Sequence, residues 1–311
     1  MTRRAFQTRP SKHESRTPSR ASRLLEGRIV ASFGRRYLVE LADSSTLDCV
    51  TRGKRGALAC GDRVTVAHSG AGKGVIEAVG ARTTLLYRSD RAREKLVAAN
   101  VTQIVIVVAP VPSFYEDLVN RCLAAAEHGG MATLIVLNKL DLPQAPAALR
   151  ALELYRELGY RLVALSAKRD LGPLLPHLKG ETSVLVGQSG MGKSTIINGL
   201  IPAAAVRVAE ISAALDSGRH TTTHTRLYHL DAESHVIDSP GMQLFGLHHV
   251  DGPALAHAFV EFRPWLGQCR FRDCRHSSEP GCAIAAACKR GKINAKRLES
   301  YRALLREKGG A

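Results

Sequence analysis

No apolar run in this chain approaches the roughly 20 residues of a membrane span; the longest, Ile104 to Val111, is only strand length. That excludes an integral helical membrane protein. The N-terminus has many Arg and Ser residues but no apolar core, which excludes a secretory signal. A transit peptide would share that composition, and cytoplasmic residence is the simpler expectation. Aromatic residues are sparse at 5%, and acidic residues are outnumbered, 28 Asp and Glu against 44 Lys and Arg. Cysteine is scarce and odd in number, 7 in all, with Cys269, Cys274, Cys282 and Cys288 close together. An odd, clustered set argues against a disulfide framework and for a metal site in a reducing compartment.

What is present begins with charge. The net charge of +16 gathers at the two ends. Arg3, Arg4, Arg9, Lys12, Arg16, Arg20 and Arg23 face only Glu14 near the N-terminus, and a second basic run extends from Lys289 to Lys308. Such charge attracts phosphate backbones through counterion release without reading sequence. A single run would be read as a solvated face. Two runs favour a polyanion, and with no strongly apolar amphipathic segment beside them, nucleic acid is preferred to a membrane.

At 311 residues the chain exceeds one ordinary core, so two or three domains are expected. Residues 1–24 read as a disordered basic tail. Residues 25–84 hold about five short alternating strands parted by Gly and Ser clusters, which suits a small β-barrel. The OB-fold leads, with an SH3-like barrel as the alternative, and both are RNA-binding platforms. Residues 85–248 alternate buried strands with helices, as a doubly wound α/β domain does. Residues 249–311 read as a helical domain around a Cys/His knot.

Two motifs in the α/β region carry the chemistry. Gly187-Gln188-Ser189-Gly190-Met191-Gly192-Lys193-Ser194, with Thr195 beside it, fits the phosphate-loop pattern G-x-x-x-x-G-K-[ST] between a strand and a helix. Its glycines let backbone amides crowd a polyphosphate at a helix start, Lys193 should reach the β- and γ-phosphates, and Ser194 should coordinate Mg²⁺. Upstream, Asn138-Lys139-Leu140-Asp141 fits the guanine-reading N-K-x-D box, and Ser166-Ala167-Lys168 follows the next strand. An Asp at that place accepts protons that guanine offers and adenine does not. In ordinary GTPases the N-K-x-D box follows the phosphate loop. The reversed order indicates circular permutation of a GTPase domain.

Further pieces complete the set. Asp238-Ser239-Pro240-Gly241 fits D-x-x-G, with Asp238 holding Mg²⁺ through water and the Gly241 amide sensing the γ-phosphate. The run Gly218-Arg219-His220-Thr221-Thr222-Thr223 lies where a switch threonine should bind Mg²⁺, and Thr222 is preferred over its neighbours. Ras-type enzymes place a water-orienting Gln after D-x-x-G. Here Met242 stands there, so slow intrinsic hydrolysis is expected, with His220 and Gln243 the nearest internal substitutes. Finally, Cys269-x4-Cys274-x-His276-x5-Cys282 matches the Cys₃His set of a structural Zn²⁺ site, with Cys288 read as non-ligating.

Taken together, the barrel, the permuted motif order, the G-R-H-T-T-T segment, D-x-P-G and the stretch from Cys269 to Cys282 resemble the bacterial RsgA (YjeQ) family of small-subunit-dependent GTPases. The likeness spans nearly everything after the tail. Ser239 is its soft departure, where the family more often carries Thr. The resemblance implies a cytoplasmic enzyme that binds GTP or GDP and the small ribosomal subunit with its rRNA; a monomer is expected. It implies action in late subunit maturation, with hydrolysis stimulated by the subunit.

Overall fold

The computed structural model describes residues 24–52, 57–90, 93–202, 225–238 and 247–309. The first strands are β1 (Leu24–Phe33), β2 (Arg36–Leu41), β3 (Thr46–Thr51), β4 (Arg63–Gly70) and β5 (Lys73–Val79). They run in the order β1-β2-β3-β5-β4, and β4 pairs back to β1, closing a barrel. The β3–β5 pair is parallel and the other pairs are antiparallel. This is the five-stranded OB arrangement, which decides between the two barrels left open by strand count. Alternation along each strand sends Ile29, Val39, Leu47, Cys49, Val64, Val66 and Ile76 into one core.

A hairpin of β6 (Leu85–Asp90) and β7 (Arg93–Ala99) follows, an element absent from the sequence reading. The barrel is fastened beside it by Asp62, whose fully buried carboxylate takes a paired hydrogen bond from Arg82, both at 2.7 Å. Asn100, just after β7, donates to the Gly61 carbonyl at 3.0 Å.

The central elements are β8 (Gln103–Val108), α1 (Glu116–Gly129), β9 (Ala132–Leu137), α2 (Ala145–Glu157), β10 (Arg161–Ala164), α3 (Leu175–Leu178), β11 (Thr182–Val186), α4 (Lys193–Leu200), β12 (Thr225–His229) and β13 (His235–Asp238). Their strands lie in the order β10-β9-β8-β11-β13-β12, parallel except for β12. On β8, Ile104, Ile106 and Val108 pack toward α1 and α2, while Val105 and Val107 join Leu178 of α3 and Ile196 of α4 on the other face. A strand covered on both sides meets apolar neighbours on both, hence the unbroken apolar run from Ile104.

Strand β12 also pairs with β1, Ala31 opposite Arg226 and Ser32 opposite Thr225, so barrel and central strands form one 11-stranded sheet. A side-chain chain reinforces the seam. His229 on β12 bonds Glu40 on β2 through Nε2 at 2.7 Å, and its Nδ1 faces the Nδ1 of His235 on β13 at 2.9 Å.

The C-terminal elements are α5 (Gly252–His257), a 3₁₀ turn (Val260–Trp265), α6 (Ala283–Lys289) and α7 (Ala295–Gly309). Scarce as aromatics are, Phe259, Phe262 and Tyr301 meet here with ring centroids 5.1–5.4 Å apart. Arg297, 1% exposed, lies over Phe259, pairs with Glu261 at 2.6 Å and donates to Asn120 of α1 at 2.8 Å. Breaking one side of a buried pair costs about 3–5 kcal/mol, so this cluster bolts α7 to the α/β layer.

Burial, with Arg28 and His229 adding to it and Asp231 opposing, pushes His235 down to about 4. Between its ordinary value of 6.5 and that point, the unfolded chain binds a proton that the folded chain refuses. Stability is therefore full above that range and falls as the pH drops through it, by at most about 3 kcal/mol. Urea midpoints near pH 4.5 should lie below those at pH 7, and His235→Gln should flatten the difference. Equal slopes for both proteins would refute the assignment.

Candidate active site and metal centre

The sequence motifs converge at the carboxyl ends of β8, β9, β10, β11 and β13, on the edge where open α/β sheets bind ligands. The phosphate loop leaves β11 and enters α4, whose exposed Ser194 and Thr195 lie in its first turn. Gly187 (φ 143°) passes so close to β8 that a Cβ would sit 2.2 Å from the Val107 carbonyl oxygen. Gly192 (φ 93°) caps α4, and a Cβ there would lie 2.2 Å from Asn138 Nδ2. These positions need glycine for conformation and for space.

Lys193 curls into the loop, donating to the carbonyls of Gly187 at 2.6 Å and Gln188 at 2.8 Å. Burial lowers its pKa, and Asp238 at the end of β13 works against that fall. Burial likewise raises the Asp238 carboxyl, with Lys193 opposing. The cation and the carboxylate thus face one partly buried space at the mouth of the phosphate loop. Hydroxyl and carboxylate oxygens from Ser194 and Asp238 are the hard donors that Mg²⁺ takes, so the set fits that ion.

Asn138, 2% exposed, joins the three loops. Its Nδ2 donates to the Met191 carbonyl at 2.9 Å, in the phosphate loop. Its Oδ1 accepts from the Ala167 amide at 2.9 Å, in the Ser-Ala-Lys turn. Lys139, at φ 60°, donates to the Val111 carbonyl at 2.7 Å. Asp141 is exposed, and a hydrogen bond from the Ser166 side chain holds its carboxyl below the usual range, with Arg169 and Lys168 nearby adding to that. The Ser166 hydrogen bond thus favours the ionised carboxylate. Sequence reasoning missed the segment after β8: besides Val111, Tyr115 donates its amide to Gln188 Oε1 at 2.7 Å, and Pro112 lies against Gly190. No local signal marks such a strap, since its partners are distant in sequence. His220, Thr221, Thr222, Thr223, Ser239, Pro240, Gly241, Met242 and Gln243 lie outside the described residues.

The second centre lies between the 3₁₀ turn and α6. One ligand atom from each of Cys269, Cys274, His276 and Cys282 falls within 4.8 Å of the others. His276 Nδ1 stands 3.5, 3.5 and 3.6 Å from the sulfurs of Cys269, Cys274 and Cys282. Zn–S bonds of about 2.3 Å and a Zn–N bond of about 2.0–2.1 Å at tetrahedral angles put S and N about 3.5 Å apart. The donor set and its spacing fit zinc. Burial lowers the His276 pKa and so favours the neutral, ligating ring. Backbone amides of Ala283 and Ala285, at 3.3 and 3.5 Å, point at the sulfurs of Cys269 and Cys282. Cys288 is not in the group.

A parallel α/β layer in which an N-K-x-D box precedes a phosphate-loop motif defines a circularly permuted P-loop GTPase. The sequence model of the RsgA GTPase family matches residues 79–248, and the chain belongs to that family. It is accordingly a GTP-hydrolysing enzyme. The small ribosomal subunit biogenesis GTPase RsgA of Nitrosospira multiformis is 56% identical, covering 93% of this chain and 92% of that protein. Its namesake in Nitrosomonas europaea is 51% identical, covering 91% of each. Among solved structures, YjeQ from Thermotoga maritima has a TM-score of 0.71 at 29% identity, over 93% of this chain and 99% of that one. YloQ, described as a circularly permuted GTPase, has a TM-score of 0.68 at 26% identity, over 95% and 98%.

Asn138→Ala should release the Met191 carbonyl and the Ala167 amide together, at a cost of about 1–3 kcal/mol. Hydrogen exchange at the Ala167 amide should quicken, while β8 and β9 keep their protection. Unchanged exchange at Ala167 would show that Asn138 is not what holds the turn.

Proposed function

We propose that this GTPase binds the small ribosomal subunit and its rRNA and acts in late subunit maturation, hydrolysing GTP to GDP and phosphate with stimulation by the subunit. The observation that carries this is the 56% identity, over 93% of the chain, to a relative named for small-subunit biogenesis. The net charge of +16 and the closed OB barrel support an RNA partner. In this reading the enzyme is a cytoplasmic monomer; separately, among the described residues no helix is long and apolar enough to cross a membrane. The proposed limits are a basic tail over 1–24, the barrel over 25–84, the GTPase domain over 85–248 and the zinc-binding domain over 249–311.

In this reading Asn138, Lys139, Asp141, Ser166, Ala167 and Lys168 hold guanine. The loop from Gly187 to Thr195 cradles the phosphates, with Lys193 at the β- and γ-phosphates. Ser194, Thr222 and Asp238 would hold Mg²⁺, which would supply positive charge at the transferring phosphate. Gly241 senses the γ-phosphate. Met242 cannot orient water, so His220 or a group on the subunit completes the site. One structural Zn²⁺ on Cys269, Cys274, His276 and Cys282 ties the C-terminal loops together.

GTP hydrolysis should be slow alone and rise at least about tenfold with purified small subunits, since a group supplied in trans is worth about 10³–10⁵ in rate. A rate insensitive to subunits would refute the proposal. Asp141→Asn should weaken GTP by about a hundredfold or more and recover binding with xanthosine triphosphate; unaltered preference for GTP would remove Asp141 from base recognition. Elemental analysis should find one zinc per chain, falling well below that in Cys274→Ala together with loss of ordered exchange in α6. A Cys274→Ala chain that keeps its metal and its protection would overturn the zinc assignment.

A further inference from the structure

Beside the Cys/His centre the surface opens into a groove of about 670 Å³, within the size range of small-ligand sites. One wall is Trp265, the sole tryptophan of the chain and only half-buried. The guanidinium of Arg290 lies over its ring at 5.2 Å from the centroid. Ala285 and Ala286 of α6 line the same groove and leave room for a flat group to approach. Lys289 and Arg302 bring two more cations to it, and Arg302 is braced by donating to the His276 carbonyl at 3.3 Å. The acidic member is Glu279, whose carboxylate oxygens accept from the amides of Arg275 and Ser278 at 2.9 and 3.1 Å.

We propose that this groove is a docking site for one unstacked RNA nucleotide, with its base against the Trp265–Arg290 stack and its phosphate at Lys289 and Arg302. A flat aromatic carrying a guanidinium gives a base a π-face and a cation at once, and this is how sequence-tolerant single-strand sites are built. Duplex RNA keeps its bases stacked inside, so it can meet the cations but not the indole. An acidic peptide would satisfy the charge but gains nothing from a planar platform. The inference rests on the RNA partner proposed above and adds a defined element that the C-terminal module would hold.

Because Trp265 is the only tryptophan, its fluorescence reports on the groove directly. The full-length, zinc-loaded protein would be titrated with a short single-stranded oligouridylate, with duplex RNA of matched charge, and with polyglutamate. Quenching by the single strand alone is expected, and Arg290→Glu and Lys289→Glu should each weaken it by about tenfold or more. Zinc content and subunit-free GTP hydrolysis should not change in either variant. Equal quenching by duplex, stronger quenching by polyglutamate, or a silent Trp265 would each overturn the proposal. A protein whose hydrolysis still responds to small subunits while Trp265 stays silent would refute the groove and leave the ribosomal reading standing.

Discussion

The side-chain amide of Asn138 is the contact on which the nucleotide site depends. It is one group with a donor and an acceptor, and both are used inside the protein, toward Met191 and Ala167. A buried amide satisfied on both sides has one orientation, which fixes the phosphate loop, the Asn138–Asp141 box and the Ser-Ala-Lys turn relative to one another. The close approach of Gly192 to the same amide shows how little slack remains. The constraint is spatial and indifferent to chain order. The domain can therefore be permuted, with the box reached before the loop, and still assemble the same geometry.

Much of this could be read from the chain because the signals were local. A strand buried on both faces, such as β8, announces itself as a continuous apolar run, and glycine-lysine spacing marks the turn between β11 and α4. The Cys₃His group was legible because its ligands fall within one short segment. The β6–β7 hairpin was not, since its strands carry Arg88, Lys95 and other charges that hide the alternation of a strand. Nor was β12, whose place is set by partners on both sides, β13 and β1, rather than by its own residues. The Arg297 cluster joins positions 177 residues apart, and one basic residue within a basic helix reads as solvent-facing.

That cluster changes how the C-terminal module should be pictured. Its apolar residues, Leu255, Phe259, Ile284 and Leu304 among them, form one continuous core with α1 and α2. The segment therefore shares the α/β layer's interior and has no core of its own. Metal ligation would organise the loops between the 3₁₀ turn and α6, while Arg297, Glu261 and Asn120 seat the whole segment. A sparse supply of aromatic residues is concentrated where that seating occurs.

The pairing of β12 with β1 has a consequence for how the molecule can be divided. An open parallel sheet ordinarily ends in a strand whose outer amides and carbonyls invite a neighbour, and native proteins guard such borders. Here the barrel itself is the guard. Its first strand pairs with the start of β12, at Thr225 and Arg226, which the nucleotide-binding layer would otherwise leave exposed. Cutting the chain at the apparent boundary would bare that stretch of backbone on the enzyme half, so the two portions, separable on paper, share one sheet as a common inheritance.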